Sequence, residues 1–264
     1  MTNLNDLSEQ EIKQNLSDNY KNFDIKVFDT LSSTNDFAKD LINSNKFQNG
    51  TTIIANTQTK GRGRFARTFF SPANTGIYFS TILKKPLPIK DVSLITLISA
   101  IAVCRAITKL TNLNPQIKWI NDIYLNNKKI CGILVENICD FNNMKSKAIV
   151  SGIGINISTE NFPKDIQDKA GSIMCNNLSR SKLIAEILNN LFDLSEDVYN
   201  KQIIEEYKTL SLVLNKRICY TKDNKTFTAT AIDINNNGNL IVRDDNNCIS
   251  ILDCEEVTTN TISN

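Results

Sequence analysis

Histidine is absent from all 264 residues. That absence removes imidazole as a base, as the orienter of a nucleophile and as a metal ligand, so Ser-His, Cys-His and His-based metal mechanisms are excluded. An excess of one charge is missing too: 30 Lys and Arg against 28 Asp and Glu leave a net charge of +2. Nucleic acid and acidic membranes normally demand a concentrated basic face, so any anion recognition here must be local. The seven cysteines (104, 131, 139, 175, 219, 248, 254) are odd in number, scattered and without a CxxC pair. They argue against a disulfide framework or a structural zinc site and read as reduced, mostly buried thiols. The longest apolar stretch, 92–107, is interrupted by Ser93, Thr96, Ser99 and Arg105. It falls short of the roughly 20 residues of a bilayer span and reads as a buried helix. The N-terminal MTNLNDLSEQEIKQ has neither the basic start nor the apolar run of a secretory signal, which points to a cytoplasmic protein.

Hydrophobic residues at 41% and charged residues at 22% are ordinary for a folded chain, and the length suits one sizeable core with a smaller appended unit. Ser8 and Glu11 have capping-box spacing at the head of a short polar helix over 8–20, a lead-in too short and too acidic for a DNA-binding helix pair. Residues 25–28 read as a strand, and Ser32-Ser33-Thr34-Asn35 caps a helix to about Ile42. Strands are expected at 51–56 and 77–83, a helix over 92–110, strands at 117–119, 123–125 and 129–136 around an Asn126-Asn127-Lys128 turn, and a buried strand at 148–157. Alternation puts Lys129, Cys131, Ile133 and Val135 on one face. A helical stretch follows from 181 to about 210. Short strands at 217–221, 227–234, 240–243 and 248–252, with Asn237-Gly238 as a hairpin signal, end the chain. The expectation is an α+β domain on a mixed sheet followed by a small β-barrel.

Two segments carry the chemistry. Gly61-Arg62-Gly63-Arg64 alternates flexible backbone with guanidinium forks that match phosphate or carboxylate oxygens. Some sixty residues on, Lys118-Trp119-Ile120-Asn121-Asp122 and Lys129-Ile130-Cys131-Gly132 place a carboxylate and an amine on either side of a turn, able to face one substrate. Gly152 and Gly154 within a strand mark a bend or a close approach to backbone. Anion loop plus charged hairpin suggests chemistry on a phosphate or acyl group.

Ser33-Thr34-Asn35, Gln58 through Arg64, Phe70-Ser71-Pro72, Lys118 through Asp122, Lys129 through Glu136 and Gly152-Ile153-Gly154-Ile155-Asn156 resemble, in order and spacing, the motifs of biotin protein ligases, the ligases that charge acetyl-CoA carboxylase. The resemblance runs from about residue 25 to the C-terminus and matches the short form without an N-terminal DNA-binding domain. It implies a lead-in helix over 1–24, a catalytic domain over 25–212 resembling class II aminoacyl-tRNA synthetases, and an SH3-like barrel over 213–264. The implied reaction joins biotin and ATP, with magnesium of unassigned ligands, into biotinyl-5'-AMP. A lysine of a biotin carboxyl carrier protein then takes the biotinyl group. By the same resemblance Arg62, Arg64 and Lys129 hold the phosphate and carboxyl, and Asp122 orients or deprotonates the acceptor amine. Ser33, Thr34, Asn35 and Gln58 surround the neutral ureido ring. Gly61, Gly63, Lys118, Asn121, Gly132, Gly152, Gly154 and Asn156 complete the biotin and adenylate site. No specific DNA binding and no membrane are expected, and the protein is a monomer or homodimer.

Three positions depart from the family pattern: Ala66 for a glycine, which stiffens the loop; Ile120 for a proline, which loosens the turn before Asn121; and Phe69 for a tryptophan. The glycines and the lack of apolar anchors predict a mobile loop in the ligand-free protein. Trp119 reads as core packing and Cys131 as a packed thiol. Lipoate ligases and octanoyltransferases are the nearest alternative, opposed by the GRGR and KICGIL segments. A nucleic-acid-binding protein is the alternative from another class, opposed by the charge balance and by few aromatics in the barrel.

Overall fold

The computed structural model of the chain describes residues 7–140, 145–175, 177–223, 225–253 and 255–259. Cys254 and the extreme ends of the expected first and last units lie outside them. Helix α1 (Glu9–Asn15) starts as its capping sequence requires, the Ser8 Oγ accepting the Glu11 N–H at 3.3 Å. Strand β1 (Ile25–Leu31) leads to α2 (Thr34–Asn43), capped by Ser33 through the Asp36 N–H. Then come β2 (Thr52–Gln58), β3 (Gly76–Leu83), α3 (Ser93–Thr111), β4 (Gln116–Lys118), β5 (Asp122–Leu125), β6 (Lys128–Asp140) and β7 (Lys145–Asn156). The stretch expected as one helix is two, α4 (Arg180–Ser195) and α5 (Lys201–Thr209). Asn200 is extended and its side chain accepts the Gln202 N–H at 3.0 Å, so a new helix is capped where the old one was expected to continue. The chain closes with β8 (Arg217–Lys222), β9 (Lys225–Ile234), β10 (Leu240–Arg243), β11 (Ile249–Leu252) and β12 (Glu256–Thr259), the last a strand the sequence reading omits.

The first seven strands form one mixed sheet in the order β1-β2-β3-β7-β6-β5-β4, with β1 parallel to β2 and the remaining pairs antiparallel. Alternation sorts its side chains to two faces. Ile77, Phe79, Ile149, Ile153 and Ile155 join the main core with residues of α3 and α4. Ile53, Ile82, Ala148 and Val150 pack instead with Ala38 and Ile42 of α2 in a smaller core. With its single-turn lead-in, α3 runs 23 residues from Ile89 to Thr111, long and apolar enough by length and composition to cross a membrane, which corrects the length argument. Burial identifies it: 72% of its apolar window lies inside the protein, as in a core helix.

The first segment belongs to that same main core. Ile12 is completely buried, and Tyr20 and Phe23 cluster with Phe192 of α4 at ring separations of 4.4–5.6 Å. The last five strands make an antiparallel sheet in the order β11-β10-β9-β8-β12. Its Ile218, Ala231 and Leu240 are also part of the main core, and the Asn237-Gly238 turn meets α3, where Gly238 faces Leu97. Ile12→Ala is expected to destabilise the protein by about 2–5 kcal/mol, read from denaturant unfolding. A loss below about 1 kcal/mol would mean that α1 is a dispensable appendage.

Candidate active site

Directly opposed residues of neighbouring strands share a face, and one transverse row of the main sheet reads Tyr78, Gly154, Gly132, Asp122, Lys118. The next row, toward α2, reads Ser80, Gly152, Leu134. Along β7 the apolar Ala148 and Val150, which pack on α2, thus give way to glycine where the helix ends. The sheet face left uncovered is the floor of a cavity of about 830 Å³, a size suited to a cofactor-like small molecule.

One end of the cavity is neutral and polar. The Thr34 N–H and hydroxyl both donate to Gln58 Oε1, at 2.9 and 3.1 Å, and Gln58 Nε2 donates to Ser71 Oγ at 3.1 Å. Ser80 Oγ lies 2.7 Å from Thr34 Oγ1 and 2.6 Å from Asn35 Oδ1, while Asn35 Nδ2 donates to Leu134 O and Glu136 Oε2. A Cβ on Gly152 would lie 1.9 Å from Asn35 Oδ1, so glycine admits the amide to the sheet. Residues of α2 reach the cavity because Ser33 caps the helix at its rim.

The other end is charged. Lys129 Nζ lies 2.6 Å from Asp122 Oδ1, although simple alternation would have turned Lys129 away. The register between β5 and β6 slips by one residue: Ile123 opposes Cys131 and Tyr124 opposes Lys129, leaving Ile130 extra. This bulge corrects the expected face, leaving Cys131 and Ile133 in the core and aiming Lys129 at the space above Gly132. Complete burial pushes the Cys131 thiol well above its ordinary range, as a packed thiol requires. Burial lowers the Lys118 amine below its ordinary 10.5 by penalising the charged form. Asn121 Nδ2 donates to Ile133 O and its Oδ1 accepts from Arg64 at 3.1 Å. Ile120 is buried, and its carbonyl accepts from the buried Tyr207 hydroxyl.

The arginine loop is a small hairpin. The Phe69 N–H donates to Gly61 O, the Gly63 N–H to Arg67 O, and Arg62 bridges Thr68. Arg62 forks to Asp36 Oδ1 and Glu136 Oε1, each at 2.6 Å. Arg67 pairs with both oxygens of Glu256 on β12, and that guanidinium holds the Glu256 carboxyl below the usual range. Ala66 sits at φ 58°, left-handed backbone that glycine adopts freely and that costs other residues about 1–2 kcal/mol. The loop base is also anchored by an apolar contact: the Phe69 ring rests on Gly154 and Gly132 and meets Tyr78 edge-on at 6.3 Å. The premise that the loop lacks apolar anchors therefore fails at this end.

Ser33, Thr34, Asn35, Gln58, Arg62, Gly63, Arg64, Lys118, Asn121, Asp122, Lys129, Gly132, Gly152, Gly154 and Asn156 all line this one cavity. Gly61 does not; a Cβ there would strike Phe69 O at 2.4 Å and Ser71 Oγ at 2.6 Å, so its role is to close the loop base. Trp119, read as core, is buried, borders the cavity and donates its Nε1–H to Gly238 O at 2.9 Å. Asn156 Nδ2 donates to Gly171 O, while its buried Oδ1 has no hydrogen-bond partner among the described residues. Sequence reasoning missed the wall formed by Phe162, Asp165, Asp168 and Lys169. That wall is fixed by backbone, with the Lys129 N–H donating to Lys169 O and the Gly171 N–H to Lys129 O, bonds that leave no residue-type signal. Among the described residues no group of three or more His, Cys, Asp or Glu is placed to hold a metal.

The chain matches the biotin/lipoate A/B protein ligase family over residues 27–156. It is 36% identical over 167 residues to the bifunctional ligase/repressor BirA of Bacillus subtilis, covering 63% of this chain and 51% of that protein. A biotin--[acetyl-CoA-carboxylase] ligase of Mycobacterium tuberculosis is 26% identical over 180 residues, 64% of each chain. The chain thus spans about half the length of the first curated relatives it matches. Among solved structures, the Aquifex aeolicus biotin protein ligase in complex with biotin and ATP superposes with a TM-score of 0.74 at 22% identity, over 90% of this chain and 99% of that one, a likeness of fold. The Leishmania major biotin protein ligase in complex with biotinyl-5-AMP gives 0.60 at 25%, over 88% and 99%. Motif order, a glycine-floored cavity and the match over 27–156 agree in likening this part of the chain to the biotin/lipoate A/B protein ligase family.

Proposed function

We propose that the protein activates biotin with ATP to biotinyl-5'-AMP and passes the biotinyl group to a lysine of a biotin carboxyl carrier protein. The observation that carries this reading is a single cavity with a neutral hydrogen-bonding end at Thr34, Asn35 and Gln58 and a cationic end at Lys118 and Lys129, joined by a glycine floor. A ureido ring is neutral and needs both donors and acceptors, which amides and hydroxyls supply. In the first step a carboxylate oxygen attacks the α-phosphorus and pyrophosphate leaves. Two anions converge, so Arg62, Arg64, Lys118 and Lys129 stabilise charge that grows in the transition state. The oxygen of Asn156 that lacks a partner suits a donor on the nucleotide base. In the second step the acceptor amine attacks the acyl carbon and the C–O bond to AMP breaks. Asp122 takes or orients the amine proton. Magnesium would enter with the ATP phosphates; the described residues offer it no cluster, and no step is assigned to it.

The catalytic unit is read as 25–212, with the class II synthetase type of sheet and a lead-in segment before it, and 213–264 as an SH3-like barrel; four antiparallel strands in meander order, β8 to β11, with β12 returning to pair with β8, support the latter. The partner is the carrier domain of acetyl-CoA carboxylase or a related carboxylase, and the compartment the cytoplasm. Lipoate is the second candidate acid, since the matching family covers both. The polar network at Gln58 favours biotin.

Biotin-dependent exchange of labelled pyrophosphate into ATP is expected from the wild type and is expected to fall by about 10²-fold or more in Lys129→Ala, with lipoate inert. Exchange with lipoate alone would transfer the chain to the sister activity. A pH dependence follows from Lys118. Its amine is below 10.5 in the free protein, and a bound phosphate favours the charged form, so affinity is highest below the free value and declines as pH rises through it. Titration with a phosphodiester analogue of the adenylate, whose single charge does not titrate, is expected to show that decline setting in below pH 10.5 and to lose it in Lys118→Met. A profile unchanged by the substitution would remove Lys118 from the phosphate site.

A further inference from the structure

Four side-chain oxygens follow one another at the neutral end of the cavity. Asn35 Oδ1 lies 2.6 Å from Ser80 Oγ, Ser80 Oγ 2.7 Å from Thr34 Oγ1, and Thr34 Oγ1 3.1 Å from Gln58 Oε1. Each of these contacts needs a proton, and only the Ser80 and Thr34 hydroxyls can supply one. One contact is therefore always short of a donor. Both ends of the series are fixed as acceptors from outside it. Ser71 Oγ gives its proton to Phe69 O at 3.0 Å and so accepts from Gln58 Nε2, which turns Gln58 Oε1 toward Thr34. At the other end Leu134 O and Glu136 Oε2, at 3.2 and 2.7 Å, are both acceptors, so the Asn35 amide presents its nitrogen to them and its oxygen to Ser80. The second oxygen of Glu136 receives Lys39 at 2.9 Å and Arg62 at 2.6 Å. Only a carboxylate suits that place, because a glutamine would turn its oxygen to the two cations and its nitrogen to Asn35. Thr34, Asn35 and Ser80 are buried, where a missing donor is costly. Thr34, Asn35 and Gln58 line the cavity, while Ser80 and Glu136 stand behind them.

We propose that Glu136 is a positioning residue that selects the acid's head group from outside the cavity: by fixing the Asn35 amide it leaves the neutral end one donor short, and that end takes a head group carrying N–H donors. The assignment rests on the biotin reading and deepens it. When a ureido N–H donates to Gln58 Oε1, the Thr34 proton turns to Ser80 and the Ser80 proton to Asn35, so that each of the three acceptors is served. A dithiolane head such as that of lipoate has no proton to give and leaves the shortage in place.

The test is pyrophosphate exchange with biotin and with an analogue whose two ureido N–H groups are replaced by methylene, which removes the donors at nearly constant shape. The wild type, Glu136→Gln, Asn35→Ala, Glu136→Gln/Asn35→Ala and Arg62→Ala are compared by the biotin-to-analogue ratio of kcat/KM. Glu136→Gln lets the Asn35 amide turn its nitrogen to Ser80 and supply the missing proton from within. Asn35→Ala removes one acceptor, so the two hydroxyl protons suffice for the two contacts that remain. Each is expected to lower the ratio by about tenfold or more, and the double variant no further than Asn35→Ala alone, because both act through one amide. Arg62→Ala takes a cation from the same carboxylate and is expected to depress kcat/KM for both acids alike, leaving the ratio in place. An unchanged ratio in Glu136→Gln overturns the assignment, as does an equal fall in Arg62→Ala, which would place the effect in the arginine loop, or a further fall in the double variant. If Glu136→Gln does not fold, the Asn35→Ala ratio decides. A wild type without biotin-dependent exchange overturns the biotin reading and this assignment together; exchange with biotin at a ratio that Glu136→Gln leaves unaltered overturns this assignment alone.

Discussion

Opposed residues in an antiparallel pair hold their Cβ atoms about 4.5–5.5 Å apart, so any side chains at Gly132 and Gly154 would stand together in the cavity. The site depends on that one transverse row. With glycine at its centre, the row passes from Tyr78, which backs Phe69, to Asp122 and Lys118 without a step in height. The adjacent row repeats the device at Gly152, where Asn35 lies against the sheet and brings the head of α2 with it. Apolar packing of α2 on the sheet reaches as far as Val150. The sheet is a packed layer on one half of this face and a binding floor on the other, and the change from valine to glycine along β7 draws the boundary.

The charges around that floor contribute little to stability. Arg62, Asp36 and Arg67 have side chains at least two-fifths exposed, and exposed pairs are worth about 0–1 kcal/mol. Their geometry matters more. Glu136 holds Arg62 and Lys39 together, at 2.6 and 2.9 Å, beside the Asn35 amide it also accepts. A guanidinium already held by carboxylates in high dielectric can exchange them for phosphate oxygens at small net cost, since charge-assisted pairs of the same kind replace one another. Lys129 and Asp122 are less exposed, and their pairing holds an amine and a carboxylate together at one point of the cavity.

Much of this was legible in the chain. Glycines at 152 and 154 in an otherwise β-branched run, an arginine pair between glycines and hydroxyl residues at a helix cap are local signals, and each residue type has few other uses. Legibility stopped where the outcome depended on pairing. The face of Lys129 is set by a single extra residue, Ile130, and alternation counted along one strand cannot detect a slip against its neighbour. The break at Asn200 was missed because apolar spacing continues through it, although Asn before a helical run is itself a cap signal. The wall from Phe162 to Ala170 and the fork from Arg67 to Glu256 join residues distant in sequence through backbone bonds or a surface ion pair. Neither leaves a period to read.

The C-terminal sheet is tied to the site at two places of different character. Trp119 lies on the segment that delivers Asn121 and Asp122, and its indole N–H reaches Gly238 in the hairpin between β9 and β10. Buried and hydrogen-bonded, this tie fixes where the sheet stands. The second tie, Arg67 to Glu256, is exposed and joins β12 to the arginine loop. Because Phe69 pins the loop's base while the segment from Arg62 to Thr68 is largely exposed, the second tie acts on the exposed part of the loop. The sheet is thus held by a buried hydrogen bond at one place and by an exposed ion pair at the other. That division of labour follows from burial alone: an interaction removed from water resists exchange, and one left in water permits it.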